Sequence, residues 1–134
     1  MANLFQQICG ALIAETATKF FCNDSGQRTG SCAKTHSGYT NYDEYGSTTS
    51  YTYETSSGYT HYDSSGISTG FTTKDRDGYT MYDRYGSTTG YCKESADGYT
   101  LYDRYGSTTG YIREDACGRK VKYDRYGCRE GYVN

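Results

Sequence analysis

The chain has 134 residues and a formal net charge of −2, and it contains 18 tyrosines, 17 glycines and no tryptophan or proline. A length of this order suits one domain. The near-neutral charge argues against a nucleic-acid-binding protein, which needs a strongly basic face. No apolar run approaches the roughly 18 residues of a membrane span. Aliphatic residues are few beyond the first part of the chain, so tyrosine rings and threonine methyls must supply much of the packing.

Residues 1–21 are predicted to form an N-terminal helix. Leu4, Ile8 and Leu12 follow i, i+4 spacing, and Asn3 can cap the first turn. Because the apolar surface of this helix is wide, we expect it to cap one end of the repeat array or to dock on a neighbouring subunit. Contact with a membrane surface is a third alternative.

Residues 22–134 repeat with a period of twenty residues. Each unit holds an Asp-x-x-Gly turn signal and a second glycine before Tyr-Thr, with short Tyr- and Thr-rich segments between them. Twenty residues with two turns leave room for two strands and no helix. The repeat therefore predicts a mainly β fold of tandem hairpins, stacked as a solenoid or laid out as a meander, with an irregular last repeat. The two glycine series are Gly26, Gly46, Gly66, Gly86 and Gly106, and Gly38, Gly58, Gly78, Gly98 and Gly118.

Aromatic residues recur at fixed positions of the repeat. Alternate residues of a strand share a face, so Tyr99 and Leu101 are predicted to point one way and Tyr102 the other. Stacked rings in such rows can replace an aliphatic core. Two rows are candidate stacking or ligand-binding surfaces: Tyr42, Tyr62, Tyr82 and Tyr102, and Tyr51, Phe71, Tyr91 and Tyr111. A further row, on the face opposite the first, consists of Tyr39, Tyr59, Tyr79 and Tyr99.

The spacing of these glycine and aromatic motifs is shared with known repeats. Gly90-Tyr91, Gly98-Tyr99, Gly106 and Thr109-Gly110-Tyr111 resemble the twenty-residue choline- and glucan-binding repeats of bacterial surface proteins. The Tyr-Asp-x-x-Gly words also resemble the Tyr-Asp repeats of bacterial surface proteins. The resemblance implies hairpins stacked into a solenoid, a place at the cell surface and a glycan or cell-wall polymer as ligand. Tyrosine or phenylalanine stands where the choline-binding class carries tryptophan.

Six cysteines raise the question of disulfides. Cys22 and Cys32 flank the first turn at nearly opposite hairpin positions, which predicts a cross-strand disulfide between them. Cys9, Cys117 and Cys128 are candidates for bonds between subunits. Reduced thiols are the alternative, because no Lys or Arg precedes the apolar N-terminal stretch and no cleavable signal peptide is evident. The cysteines and the resemblance favour an extracellular or cell-surface location.

No combination of nucleophile and base identifies an enzyme, and no cofactor is expected. His36 and His61 occupy different positions of the repeat and are predicted to be ordinary surface residues. No Cys-x-x-Cys pair points to zinc. The recurrent aspartates do not have the spacing of a calcium loop, so they are predicted to cap turns. These are Asp43, Asp63, Asp83, Asp103 and Asp124.

Three non-enzymatic functions are therefore expected. The first is a structural subunit that assembles head to tail into a filament or surface fibre, because a stack of hairpins has unpaired strand edges at its ends. The second is a binding module that reads glycans or cell-wall polymers through its tyrosine rows. The third is an ice-binding face built from threonines such as Thr48, Thr88 and Thr108.

Overall fold

A computed structural model describes residues 19–133 of the chain. Within this range the chain forms twelve β-strands and no helix. The strands are β1 (Lys19–Asn23), β2 (Arg28–Lys34), β3 (Gly38–Asp43), β4 (Thr48–Thr55), β5 (Gly58–Asp63), β6 (Ser68–Lys74), β7 (Gly78–Asp83), β8 (Thr88–Ser95), β9 (Gly98–Asp103), β10 (Thr108–Glu114), β11 (Lys120–Asp124) and β12 (Arg129–Val133). Most of the predicted N-terminal helix lies outside the described residues. Its predicted end at residue 21 is wrong, because Lys19 begins β1.

The Asp-x-x-Gly turns are closed by their own aspartate. At Asp103, one carboxylate oxygen accepts the backbone N–H groups of Tyr105 and Ser107, both at 2.9 Å. Gly106 takes a φ of 86°, a left-handed conformation that costs other residues free energy. The predicted role of the recurrent aspartates as turn caps is thus confirmed. The same pair of bonds is made by Asp43, Asp63, Asp83 and Asp124.

The strands pair in chain order, and the first strand pairs with the last. Phe21 of β1 is the partner of Val133 of β12, so the sheet is a closed antiparallel barrel. The predicted hairpin repeats are confirmed, but the solenoid is wrong, and the meander does not stay open. Each of the six hairpins whose turn begins at Asn23 or at one of the five recurrent aspartates has a register shift between its strands, whereas the β10–β11 hairpin, with its turn at Asp115, has none. Bulges of this kind increase the bend and twist of a sheet, and six of them at regular intervals bring its two edges together.

The lumen of the barrel holds most of the buried apolar side chains. Cross-strand partners lie on the same face of the sheet. The buried apolar side chains other than Val121 form one cluster in the lumen, and several buried polar residues are not members of this cluster. The row of Tyr39 and Tyr79 faces this lumen, while Tyr82 is paired with Phe71 on the outside. The predicted opposite orientation of the two rows therefore agrees with the register. The luminal cluster consists of Phe21, Cys32, Tyr39, Tyr79, Met81, Cys92, Leu101, Ile112 and Val133.

The glycines that begin alternate strands permit a close approach between backbones. A Cβ atom added at Gly98 would lie 1.9 Å from the carbonyl oxygen of Ile112. Gly38, Gly58 and Gly78 would meet the next strand at 1.9–2.0 Å. Real Cβ atoms do not approach a carbonyl oxygen this closely, so these four glycines of the second series are a packing requirement of the barrel. The fifth, Gly118, is a turn glycine with a φ of 81° and makes no such approach.

Candidate functional site

The two ends of the barrel differ. The turns that begin at Asn23 and at the five recurrent aspartates lie at one end, which we call the Asp-turn end; an equivalent turn at Asp115, between β10 and β11, lies at the opposite end. The opposite end, where β1 begins and β12 ends, we call the far end. Toward the far end Tyr39, Tyr59, Tyr79 and Tyr99 all pack in or against the luminal cluster. Burial raises the pKa of each of these four phenols, so they remain neutral.

Above this tyrosine layer, toward the Asp-turn end, the lumen contains a cavity of about 560 Å³. Its floor is formed by Met81 and Leu101 together with polar side chains described below, and Gly70 and Gly90 line its wall. The volume falls in the range of small-molecule sites, about 300–1,000 Å³. We therefore treat this luminal cavity as the candidate functional site.

His61 lies between two threonines in the floor of the luminal cavity. Its Nδ1 is 3.1 Å from the Thr52 hydroxyl and its Nε2 is 2.8 Å from the Thr72 hydroxyl. Burial lowers the pKa of His61 from 6.5 to about 4, because the charged imidazolium loses its hydration in the lumen. The prediction of an ordinary surface residue is wrong. The alternation of the strand contains the correct signal, since His61 occupies the same position of the repeat as the luminal Leu101.

Asn41 occupies the corresponding position one repeat earlier and is 1% exposed. Its amide nitrogen donates to the Ser50 hydroxyl at 3.0 Å. Its Oδ1 is buried and has no hydrogen-bond partner in the part of the chain that the structure describes. An unsatisfied buried acceptor costs free energy, and because this oxygen is sealed from solvent it is a cost to the fold rather than a contact offered to a ligand.

The Asp-turn end carries a ring of exposed tyrosines, which we call the rim tyrosines: Tyr45, Tyr85, Tyr105 and Tyr126. Their side chains are 83–85% exposed. Each is the third residue of an Asp-type turn, at the tip of a hairpin, where no neighbouring strand covers the ring. A residue just before a turn glycine has little opportunity to be buried, so the sequence contains the signal for this exposure, but the predicted aromatic rows include strand positions only.

The two predicted aromatic rows come together on the outside of the barrel. Tyr51 pairs with Tyr62 across β4 and β5, and Phe71 pairs with Tyr82 across β6 and β7. The Phe71 and Tyr82 rings stack with centroids 4.7 Å apart. These half-buried rings form one outer belt, made of Tyr42, Tyr51, Tyr62, Phe71, Tyr82, Tyr91, Tyr102 and Tyr111. Their predicted part in ligand binding stays a prediction.

The predicted Cys22–Cys32 disulfide is not formed. Cys22 carries a free thiol, and its strand partner on β12 is Tyr132 of the outer face. Cys32 belongs to the luminal cluster. The two residues thus lie on opposite faces of the sheet, because the register shift in this hairpin follows Phe21. Alternation of the strand, rather than distance from the turn, decides which cysteines can meet.

Two of the cysteines proposed for contacts between subunits are exposed free thiols. Cys117 lies in the turn between β10 and β11 at the far end, and Cys128 follows the turn between β11 and β12 at the Asp-turn end. They are thus at opposite ends of the barrel. Cys9 lies outside the described residues. Cys92 is a different case, because its burial in the lumen raises the pKa of the thiol to about 12 and keeps it unreactive.

Residues 19–133 hold no group of three or more His, Cys, Asp or Glu side chains that could bind a metal ion. The same range contains no helix that is long and apolar enough to cross a membrane. Neither a protein-family model nor any curated protein or solved structure matches the chain. The luminal cavity, the rim tyrosines and the outer surface are therefore the features from which a function can be inferred.

Proposed function

We propose that the chain is a non-enzymatic binding module that holds the end of a saccharide at the Asp-turn end of the barrel. One observation carries this proposal. The lumen holds a cavity of about 560 Å³ toward the same end of the barrel as four turn tyrosines, which do not line it and whose side chains are 83–85% exposed. Large exposed aromatic rings around a concave site are typical of binding surfaces rather than of inert protein surface.

The rim tyrosines and the cavity suit different parts of a sugar. A tyrosine ring offers a flat apolar face to the C–H groups of a pyranose and loses little conformational freedom on binding. Thr49, Thr69, Thr89 and Thr109 line the cavity with hydroxyl groups, which can donate and accept hydrogen bonds. The Thr49 hydroxyl donates to the Asn41 carbonyl oxygen at 3.2 Å, so it offers a ligand only an acceptor. A terminal sugar can therefore enter the cavity while the following sugars lie against the rim.

The chemistry of the floor favours binding over catalysis. Both ring nitrogens of His61 are held by threonine hydroxyls, at 3.1 and 2.8 Å. With a pKa of about 4, this imidazole is a weak base at neutral pH. The floor therefore supplies fixed hydrogen-bonding groups for a ligand and no activated nucleophile for a reaction.

Removing two neighbouring rim tyrosines should weaken saccharide binding strongly. Each stacked ring contributes about 0.5–1.5 kcal/mol, so the double variant Tyr85→Ala/Tyr105→Ala should lose roughly 5- to 150-fold in affinity. Affinity electrophoresis through gels that contain soluble polysaccharides measures this change. Tyr53→Ala is the matched control, because Tyr53 is 42% exposed but lies on β4 away from the rim. Equal retardation of the wild type and both variants would contradict the proposal.

Head-to-tail assembly is a second candidate, and one observation favours it: the exposed thiols of Cys117 and Cys128 lie at opposite ends of the barrel. Closure of the barrel pairs the strand edges that first suggested assembly. A Cys117–Cys128 bond between successive copies would still give a contact that does not close and hence a fibre.

We expect this assembly to depend on oxidation and on both thiols. Size-exclusion chromatography with light scattering should show linear oligomers of the wild type under oxidising conditions and monomers in reductant. Cys117→Ser and Cys128→Ser should each stop growth at the dimer, since one remaining thiol of the pair can bond only once. A wild-type protein that remains monomeric when oxidised would remove this candidate.

The ice-binding alternative gains no support from the arrangement of its threonines. Thr48, Thr88 and Thr108 lie on β4, β8 and β10, at intervals around a closed barrel. They therefore do not share one flat face.

A further inference from the structure

The inner side of the barrel is apolar where the sheet closes. Phe21 of β1, Cys32 of β2 and Val133 of β12 belong to the luminal cluster and are 1%, 1% and 6% exposed. We call the inner side of β12, β1 and β2 the closing sector, because the pairing of β1 with β12 closes the barrel. Among the described residues, the lining of the luminal cavity comes from β3 to β10 and includes none from the closing sector. The closing sector is therefore covered by material and does not border the open space of the cavity.

The opposite wall of the barrel is too far away to provide this cover alone. Inward side chains fill the interior of a barrel of about eight strands, whereas a barrel of about eleven strands can enclose a whole α-helix. The present barrel has twelve strands. Its interior is therefore wide enough for a helix, whose diameter with side chains is about 10–12 Å.

The chain has a segment that suits this space. Residues 1–18 precede β1 and lie outside the described residues. Residues 1–14 contain no Asp, Glu, Lys or Arg, so they can be buried without enclosing a charged side chain. Because β1 begins at Lys19 at the far end, the segment joins the barrel at the mouth of the lumen.

The cysteines indicate where this segment is attached. Cys32 does not carry a free thiol, whereas the other four cysteines of the described residues do. Those four are Cys22, Cys92, Cys117 and Cys128. Cys9 is the sixth cysteine of the chain and belongs to residues 1–18. By elimination, Cys9 is the partner that the chain offers to the sulfur of Cys32.

We infer that residues 1–18 are an internal plug, which enters the lumen from the far end, packs on the closing sector and is held there by a disulfide between Cys9 and Cys32. A helix that only covered the outside of one end, as the sequence suggested, would not bring Cys9 beside a luminal sulfur. The inference does not depend on the proposed saccharide function.

The chain between the two cysteines is long enough for this path. Lys19 is the strand partner of Cys32, and Cys9 precedes Lys19 by ten residues. Ten residues extend to about 35 Å, whereas a disulfide needs Cα atoms within about 7 Å. The segment can therefore run into the lumen and turn back to Cys32, so that its apolar side chains cover the closing sector.

The bond forms by thiol–disulfide exchange. The thiolate of Cys9 attacks a small disulfide such as oxidised glutathione, and the thiolate of Cys32 then displaces the glutathione from Cys9. Each cysteine gives up one proton, and the two electrons reduce the glutathione disulfide to two thiols. The plug is therefore locked under oxidising conditions and is held by packing alone under reducing conditions.

Peptide mapping of the full-length chain tests the disulfide. Cys117→Ser/Cys128→Ser serves as the background, because it removes the two exposed thiols. The protein is equilibrated with oxidised glutathione, alkylated in urea and cleaved with trypsin. Residues 1–19 should then be linked to residues 29–34 in the monomer fraction, and the two remaining cysteines should be alkylated. A linkage found only in dimers, or no linkage at all, would overturn the inference.

Urea unfolding of the oxidised background protein tests the position of the plug. Ile8 and Leu12 lie on the apolar face of the predicted helix, and Gln7 lies outside that face. Ile8→Asn/Leu12→Asn should lower the urea midpoint by about 1 M or more, because two buried apolar side chains become polar. Gln7→Asn is the matched control and should change the midpoint by less than about 0.3 M. Equal midpoints for both variants would place the tethered segment outside the lumen and overturn the plug.

Discussion

Replacing Gly98 by alanine is expected to lower the free energy of unfolding by about 3–5 kcal/mol, in the upper part of the range for single substitutions. The added Cβ would lie 1.9 Å from the carbonyl oxygen of Ile112 and 2.8 Å from its carbonyl carbon. Both atoms belong to the backbone of β10, so a side-chain rotation cannot relieve the clash. Strands β9 and β10 would have to separate at this point, next to the buried Ile112 side chain.

Gly106→Ala is the matched control for this effect. Gly106 lies at the other end of the same hairpin, where an added Cβ would have no heavy atom within 4 Å but the φ is +86°. Only the conformational cost applies there, about 1–2 kcal/mol. Urea unfolding followed by circular dichroism gives both values. Equal midpoints for the two variants would show that the backbone approach at Gly98 is not tight.

The hairpins could be predicted from the sequence because their signals are local. Asp103 and Gly106 specify a turn within four residues, and the alternation after Gly98 specifies which side chains share a face. Closure of the barrel has no local signal. It depends on the pairing of Phe21 with Val133 and on a small register shift repeated in six hairpins. A slightly different shift would leave the same hairpins as an open sheet.

The candidate site was hidden for the same reason. Tyr99 and Leu101 were predicted to share a face, and the same alternation puts His61 and Asn41 on it. An open sheet has no lumen, however, so those residues had no enclosed space to line. A barrel of twelve strands is wide enough that its side chains do not fill the centre, and the luminal cavity results. The width of the barrel, rather than a motif, creates the site.

The stability of the barrel is expected to fall by about 2 kcal/mol between pH 7 and pH 5 because of His61. Burial lowers the pKa of this residue from 6.5 to about 4 in the folded chain. As the pH drops below 6.5, His61 binds a proton in the unfolded chain but not in the folded chain, so unfolding becomes more favourable. The loss is absent above about pH 7.5 and is complete only below pH 4, where both forms are protonated.

His61→Gln separates this effect from the titration of other groups. Glutamine can still hydrogen-bond to Thr52 and Thr72, which flank the ring at 3.1 and 2.8 Å, but it does not titrate. Urea midpoints of the variant should therefore change little from pH 7 to pH 5, while those of the wild type fall. His36 is exposed and present in both proteins, so its contribution cancels in the comparison. An identical pH slope in the two proteins would mean that His61 is hydrated, and the luminal floor would then be open to water and to charged ligands alike.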